Sequence, residues 1–162
     1  EKPFAIPDSW QWVRIGDIFT LQAGKFIQAY KIKEKGLYPC YGGNGIRGFV
    51  DKFNNEGTFP LIGRQGALCG NINLAHNKFY ATEHAVVVNH YDLCSPRWAM
   101  YTLTALNLNK YATATAQPGL AVSNINTVLL PLPPLAEQQR IVARLEELLP
   151  LCDGLLSAGG QA

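Results

Sequence analysis

Residues 131–156 read PLPPLAEQQRIVARLEELLPLCDGLL, and this stretch predicts a long amphipathic helix that follows a proline-rich elbow. Its apolar residues step by four and three positions, which is the a/d spacing of a coiled-coil seam. The helix seam consists of Ile141, Leu145, Leu148, Cys152 and Leu155. Because proline suits a first helical turn and cannot continue a strand ladder, the elbow favours a helix from Leu135. Pro150 should kink this helix or end its first segment.

Periodicity alone leaves two interpretations of this helix. In the first, the helix leaves the body of the protein and pairs with another helix. In the second, it folds back on its own domain as an ordinary amphipathic helix. Three heptads are the lower limit for a coiled-coil prediction, so both interpretations stay open at this point.

Length and composition predict one compact domain with an appendage. The chain has 162 residues, of which 48% are hydrophobic, and that is enough for a substantial core. We expect a body over 1–132, a C-terminal helix over 133–157 and a flexible tail over 158–162. No apolar run approaches the roughly 18–20 residues that span a bilayer, so we expect no membrane segment.

The charge is distributed unevenly between these parts. Residues 1–130 carry 12 Lys and Arg against 8 Asp and Glu, a net charge of +4, whereas residues 131–162 carry 2 against 4, a net charge of −2. A mildly basic body permits a polyanionic partner without requiring one. The four cysteines have no C-x-x-C spacing and the three histidines have no metal-ligand spacing. We therefore expect reduced, buried thiols in a cytoplasmic protein and no metal site.

The pattern along the chain predicts an α+β fold. Trp12, Ile15 and Phe19 are spaced for one face of a helix near the start. Short apolar runs bounded by Gly or Asn then indicate strands over 58–62, 67–75, 79–82 and 85–88. Asn44-Gly45 and His76-Asn77 are candidate tight turns, and Ser95-Pro96 is typical of a helix start. We expect a compact, mixed or mainly antiparallel sheet with peripheral helices and a protruding, coiled-coil-like C-terminal helix.

Residues 43–48, GNGIRG, match the G-x-G-x-x-G pattern literally. A dinucleotide fingerprint must follow a buried strand and open a helix. Here the pattern runs into Phe49-Val50, which continues as a strand. We therefore reject a dinucleotide site.

The side chains near the glycine turns suit nucleic-acid recognition better than catalysis, because no catalytic motif is present. In the major groove Arg pairs with guanine, and Asn or Gln pairs with adenine. The candidates for base edges are Asn44, Arg47, Arg64 and Gln65. Others can hold phosphates, which position a protein without specifying sequence. The candidates for the DNA backbone are Lys25, Lys110, Thr113, Thr115 and Gln117. Each also has a structural alternative as a turn residue or a solvated loop.

Four segments in this order resemble one known family. They are IPDSWQWVRIGDI (6–18), GRQGALCGN (63–71), QPGL (117–120) and LPLPPLAEQQRIV (130–142). The chain resembles a target recognition domain of a type I restriction-modification specificity subunit, followed by the start of its spacer helix. The resemblance covers nearly the whole chain, and its last segment is the most specific.

The resemblance implies a non-catalytic subunit that reads one half of a split double-stranded DNA target. It implies docking to an adenine methyltransferase subunit, with a translocating nuclease (restriction) subunit as a further partner. S-adenosylmethionine, ATP and Mg²⁺ are then expected only in those partner subunits, and this chain needs no cofactor. Spacer helices of the family pair antiparallel and set the distance between the half-sites, as a dimer's geometry does. The helix seam would then serve pairing.

One departure from the family leaves alternatives open. The family usually has two recognition domains and two spacer helices, whereas this sequence has one of each. We expect either a fragment or a half-subunit that self-associates through its C-terminal helix. The competing hypothesis is a scaffold module that acts through this helix and does not bind DNA. A small nuclease or methyltransferase ranks third, because the sequence offers no motif for either.

Overall fold

The structure is a computed structural model that describes residues 2–113, 116 and 118–159, with side chains described through residue 154. Its strands are β1 Gln11–Arg14, β2 Thr20–Ala23, β3 Tyr38–Gly42, β4 Gly45–Val50, β5 Asn55–Glu56, β6 Phe59–Gly63, β7 Ile72–Ala75, β8 Lys78–Ala81, β9 Ala85–Asn89 and β10 Leu129–Leu132. Its α-helices are α1 Ile15–Ile18, α2 Pro96–Ala105, α3 Val122–Asn126 and α4 Leu135–Gly159. Short 3-10 helices cover Ala29–Lys31 and Leu108–Tyr111.

The body contains two four-stranded sheets and one two-stranded ribbon. The strand orders are β2-β9-β6-β7 and β4-β3-β8-β5, and β1 pairs with β10. The pairs are antiparallel except for β3 with β8, which run parallel. The predicted α+β class with a mainly antiparallel sheet and a C-terminal helix is therefore confirmed. Strand β9 lies between two neighbours, and its run Ala85–Val88 is buried throughout, which explains its continuous apolar sequence.

The predicted opening helix is wrong. Residues 11–14 form β1, the helix α1 is limited to Ile15–Ile18, and β2 follows at once. Strand β1 pairs with β10, so that Trp12 faces Pro131 across the ribbon. This pairing joins distant parts of the chain and overrides the local helical spacing. Ile15 and Phe19 are nevertheless buried, as their apolar character suggests. They belong to the largest cluster of buried apolar residues, which we call the main core.

The two predicted tight turns have different roles. Asn44 and Gly45 belong to the β3–β4 hairpin, whose last pair is Gly42 opposite Gly45. His76-Asn77 joins β7 to β8, but these strands belong to different sheets and do not form a hairpin. Asn77 has a φ of 60°, a left-handed conformation that asparagine tolerates better than most residues. This turn therefore carries the chain from one sheet to the other.

Helix α2 begins as predicted. Pro96 is its first residue, and the Ser95 hydroxyl accepts a hydrogen bond from the Trp98 N–H at 3.5 Å. Trp98 and Leu103 bury one face of the helix in the main core.

Helix α4 docks on the body through its first three turns. The Gln138 side chain is buried, with 1% exposure; its amide donates to the Pro133 carbonyl at 3.0 Å and its oxygen accepts from the Ser95 N–H at 3.1 Å. Val142 is buried in the main core, and Arg97 on α2 forms a 2.6 Å ion pair with Glu146. From Glu146 to Gly154 every residue is exposed, so the second half of α4 leaves the body.

Of the two outcomes expected at Pro150, an end of the first helical segment is wrong, because α4 continues through it to Gly159, and a kink stays a prediction. A proline removes one i→i−4 hydrogen bond. The carbonyl that loses its donor belongs to Glu146, an exposed residue, so water can take the place of that donor. Helix α4 includes residues 158 and 159, which were predicted as part of the tail, and residues 160–162 lie outside the described part of the chain, so the tail stays a prediction there.

Three of the four cysteines are buried thiols, as expected. Cys40, Cys69 and Cys94 are buried, whereas Cys152 is exposed on α4, so the expectation is wrong for that residue. Within the described residues, no helix has both the length and the apolar character needed to cross a bilayer.

Candidate nucleic-acid interface

Several chain segments meet at one end of the two sheets. Strands β3 and β8 run parallel, so the β3–β4 turn and the β8–β9 connection emerge at the same edge. The loop after β6 joins them there, because the Arg64 N–H donates to the His84 carbonyl at 2.9 Å. The segment around residue 119 completes the group, since the Leu120 N–H donates to the Arg64 carbonyl at 2.9 Å. Backbone hydrogen bonds therefore fix the relative positions of these loops.

Glycine permits this close approach of backbones. A Cβ at position 63 would overlap the carbonyl oxygen of Gly43. Gly45 and Gly66 have φ values of +89° and +88°, which side-chain-bearing residues rarely adopt. The glycine-framed turns seen in the sequence are thus a structural requirement for bringing the two loops together.

The converging loops enclose a cleft of about 610 Å³. We call it the glycine-turn cleft, and it is lined by Gly43, Asn44, Arg47, Gln65, Gly66, His84, Pro118 and Gly119. Three of the four residues predicted for base edges line it together, namely Asn44, Arg47 and Gln65. The fourth, Arg64, does not line it; its backbone instead binds the neighbouring loops, and the residue is half-buried.

Arg47 is directed into the cleft by its neighbour across the hairpin. A Cβ at Gly42 would overlap the Cδ atom of Arg47, so the missing side chain at position 42 leaves room for the arginine stem. The guanidinium end remains exposed at the start of β4. Its charge acts on the buried thiol of Cys40. Burial raises the pKa of Cys40, and the positive charge of Arg47 opposes that rise in part.

Asn44 is held by a residue that was not singled out from the sequence. The Asn71 side-chain amide donates to the Asn44 side-chain oxygen at 2.6 Å. Asn71 is itself fixed, because its carbonyl accepts from the Gly63 N–H at 2.9 Å and its N–H donates to the Leu68 carbonyl at 3.0 Å. With its oxygen engaged in this way, Asn44 still has an amide NH₂ group that can donate to a ligand.

His84 is a second residue that sequence reasoning missed. Its Nε2 atom lies 3.3 Å from a carboxylate oxygen of Glu83, and its side chain is 34% exposed in the cleft. The sequence feature that could have identified it is the polar pair Glu83-His84, which separates two apolar runs. His84 adds a group that can both donate and accept hydrogen bonds.

The residues predicted for the DNA backbone lie in different places. Lys25 is exposed, and its N–H donates to the Ala81 carbonyl at 3.0 Å, next to the β8–β9 connection. The Thr113 N–H donates to the carbonyl of Gly119, a cleft residue, at 3.0 Å. Lys110 is exposed, with its Nζ 5.1 Å from the centre of the Tyr111 ring. Thr115 and Gln117 lie outside the described residues.

The helix seam divides into two parts. Ile141 is half-buried against the body's own core, and Leu145 is half-buried as well. Leu148 is 38% exposed and Cys152 is also exposed, so these two positions face away from the body. The side chain of Leu155 lies outside the described part. The first half of α4 therefore folds back on the domain. The second half is exposed and is the part available for pairing with another helix.

The arrangement in the cleft offers hydrogen-bond donors and acceptors and one fixed positive charge. Among the described residues, no group of three or more His, Cys, Asp or Glu side chains is placed to hold a metal ion. Side chains of this kind recognise the edges and charges of a ligand.

Comparison with known proteins identifies the family. The family described as type I restriction modification DNA specificity domain matches residues 7–156. The type I restriction enzyme EcoprrI specificity subunit of Escherichia coli is 47% identical over 137 residues, which cover 82% of this chain and 34% of that protein. A putative type I restriction enzyme specificity subunit of Haemophilus influenzae is 30% identical over 123 residues, covering 74% and 32% respectively. The chain therefore spans about a third of the length of these curated relatives.

Solved structures show the same fold at lower sequence identity. The S subunit of a type I restriction-modification system from M. genitalium has a TM-score of 0.77 at 22% identity, over 95% of this chain and 43% of that one. The HsdS subunit from Thermoanaerobacter tengcongensis has a TM-score of 0.75 at 21% identity, over 98% and 42%. Because the family match extends over nearly the whole described fold, the chain belongs to the type I restriction-modification DNA specificity domain family.

Proposed function

We propose that this chain recognises one half of a split sequence in double-stranded DNA and has no catalytic activity of its own. The observation that carries the proposal is the glycine-turn cleft, in which Asn44, Arg47 and Gln65 lie together. These three side chains come from two loops that meet only in the folded protein. Their types are those that form specific hydrogen bonds with base edges in the major groove.

Each side chain has a preferred partner on chemical grounds. Arg47 suits the two acceptors of guanine, and Gln65 suits the donor–acceptor edge of adenine. Asn44 donates from its amide nitrogen, because its oxygen already accepts a hydrogen bond from Asn71. His84, which lies between β8 and β9 and also lines the cleft, supplies a further polar contact. Arg64 stays a predicted base contact with less support, since it lies outside the cleft lining.

Phosphate contacts would surround these base contacts. Lys25 and Thr113 are tied by backbone hydrogen bonds to segments that border the cleft. Lys110, Thr115 and Gln117 belong to the same stretch of chain as Thr113 and complete the proposed set. Such contacts set the register and orientation on the duplex without reading sequence.

The exposed half of α4 is the proposed assembly surface. Leu148, Leu149 and Leu151 are 38%, 42% and 62% exposed and have no cover from the body. Apolar side chains at this density on one helix favour burial against another helix. The partner would be a second spacer helix, from another copy of this chain or from another part of a longer specificity subunit. Since the first half of α4 is fixed to the body, the pairing would set the distance between two clefts.

The remaining functions of such a system are assigned to other subunits. A cytoplasmic adenine methyltransferase subunit would dock on this chain and provide the S-adenosylmethionine chemistry, after extrusion of its target base. A restriction subunit would bring ATP and Mg²⁺. The names of the curated relatives, which are specificity subunits, support this division of labour.

Selection from a pool of randomised duplexes tests the proposal. The chain is mixed with the methyltransferase subunit of its own system, and the retained duplexes are sequenced. Enrichment of a short motif supports sequence recognition. A stable complex that enriches no motif favours the second candidate, an assembly module that acts through α4 alone, for which the exposed leucines are the specific observation.

A further inference from the structure

The segment from Lys25 to Leu37 has an unusual surface. The three most exposed large apolar side chains of the described residues all lie in it: Tyr30 at 74%, Leu37 at 73% and Phe26 at 71%. Large exposed apolar side chains that are concentrated in one short segment indicate an interaction site more often than single ones do. We call this segment, residues 25–37, the lysine–aromatic strip.

The strip is also basic. It contains four exposed lysines, at 25, 31, 33 and 35, against one acidic residue, Glu34. Lys33 is 3.5 Å from Asp51, and the Lys31 ammonium lies 5.8 Å from the centre of the Tyr30 ring. Among the described residues, Lys25 and Lys35 have no carboxylate within salt-bridge distance. Most of the positive charge is therefore available to a partner.

Backbone hydrogen bonds place the start of the strip beside the glycine-turn cleft, and its middle part lies towards the far end of β4, where Tyr30 and Lys31 line a hollow together with Val50. Its start is fixed where the Lys25 N–H donates to Ala81, one residue before the β8–β9 connection. Further along, Lys33 and Phe49 exchange both backbone hydrogen bonds, at 2.9 and 2.8 Å, so the strip runs along the outer edge of β4. Phe49 is two residues from Arg47, which corresponds to about 7 Å along a strand.

The backbone of the strip is anchored although its side chains are exposed. Ile27 is buried, and the Tyr80 hydroxyl donates to the Phe26 carbonyl at 3.2 Å. Gly48 has a φ of +153°, and a Cβ there would lie 2.6 Å from the Lys33 carbonyl oxygen. The strip thus presents its lysines and aromatic rings from a fixed position.

We propose that the lysine–aromatic strip binds the phosphate backbone of duplex DNA beside the bases that enter the cleft. The inference rests on the proposed function and extends it by assigning a second contact surface. Duplex DNA carries one phosphate per strand for about every 3.4 Å of its axis, so a row of lysines that leads away from the cleft can meet successive phosphates. The lysines bind those phosphates, and Phe26 and Tyr30 pack against the adjoining sugars.

Salt dependence of binding tests the role of the lysines. Lys31→Gln and Lys35→Gln should each reduce the slope of log K against log salt by about 0.9, the value for one lost phosphate contact. The enriched motif should not change, because phosphate contacts do not read sequence. Lys2→Gln is the matched control, because Lys2 is an exposed lysine that lies beside Trp10 and Trp12 and outside the strip. This control should keep the wild-type slope.

Replacement of an aromatic residue should change the affinity but not its salt dependence. Tyr30→Ala removes no charge, so it should weaken binding by the same factor at every salt concentration and leave the slope unchanged. All variants are measured in the complex with the methyltransferase subunit, and their folding is checked by unfolding curves.

The outcomes separate the strip from the proposed function. If the wild type enriches a motif but the Lys31 and Lys35 variants keep its salt slope, the strip is not a phosphate-binding surface and the proposed function stands. If these variants keep the slope but release the methyltransferase subunit, the strip docks a protein and the inference is wrong. If the wild-type complex binds no duplex, the proposed function fails and the inference fails with it.

Discussion

Gly63 lies so close to Gly43 that a Cβ at position 63 would overlap the carbonyl oxygen of Gly43. Gly43 begins the turn that leads to Arg47 on β4, and Gly63 ends β6, two residues before Gln65. Because Gly43 lines the glycine-turn cleft, this contact joins the two segments at the cleft. The cleft thus depends on the absence of a side chain as much as on the polar groups that line it.

Gly63→Ala should destabilise the protein, because the new methyl group forces two backbones apart. Overpacking of this kind costs about 1–3 kcal/mol. Gly119→Ala is a matched control in the same cleft, since its Cβ would meet nothing closer than 3.7 Å. Urea unfolding should show the loss for Gly63→Ala only. Equal stability of the two variants would contradict the proposed packing.

Gln138→Leu should loosen α4 from the body. The change leaves the Ser95 N–H and the Pro133 carbonyl buried without their side-chain partner, at a cost of about 1–3 kcal/mol in the free energy of unfolding. The neighbouring Gln139 is exposed, so Gln139→Leu tests the same chemical change without the buried contacts. If both variants unfold at the same denaturant concentration, Gln138 does not fasten the helix.

Leu148→Ser should weaken association through α4 while leaving the fold intact. Full burial of an exposed leucine contributes about 1.5–3 kcal/mol, and Leu148, which is 38% exposed, can contribute only part of this at a helix pair. Leu135→Ser is the control, because Leu135 is 48% exposed on the same helix but lies outside the helix seam. Sedimentation equilibrium should show a lower association constant for Leu148→Ser alone. The same constant for both variants would remove the seam from the assembly surface.

Stability at alkaline pH should depend on Cys94. Burial raises the pKa of its thiol from 9.0 to about 12, so the unfolded chain releases this proton at lower pH than the folded chain does. The contribution is fully present below pH 9.0 and is lost as the pH rises towards about 12. The loss amounts to about 1.4 kcal/mol per pH unit.

Cys94→Ala should therefore make the free energy of unfolding less dependent on pH above 9.0 than it is in the wild type. Cys152→Ala, a change at an exposed thiol, should keep the wild-type dependence. Unfolding curves recorded at several pH values give both slopes. A parallel decline for the wild type and Cys94→Ala would show that this thiol does not titrate as its burial requires.

Elements that depend on local signals could be predicted from the sequence. Ser95-Pro96 starts α2 because the cap and the proline act on the adjacent turn. Asn44-Gly45 turns the β3–β4 hairpin for an equally local reason. The segment around Trp12 could not be predicted, since its strand forms only when β10 arrives from the other end of the chain.

The candidate site shows the same division. Asn44, Arg47 and Gln65 could be selected because glycines frame them in the sequence. Their meeting in one cleft could not, because it depends on contacts between separate loops. His84 and Asn71 were missed, since His84 reaches the cleft only because the β8–β9 connection lies beside the β3–β4 turn, and the role of Asn71 depends on its contact with Asn44 in the folded protein.

The most direct test of the central claim compares the motifs enriched by wild-type protein and by Arg47→Ala from one randomised duplex pool, each in complex with the methyltransferase subunit. Loss of a bidentate contact should cost about 1–3 kcal/mol of discrimination at one base pair and leave the other positions of the motif intact. Lys2→Gln should return the wild-type motif. An Arg47→Ala motif identical to the wild-type motif would contradict base recognition by the glycine-turn cleft.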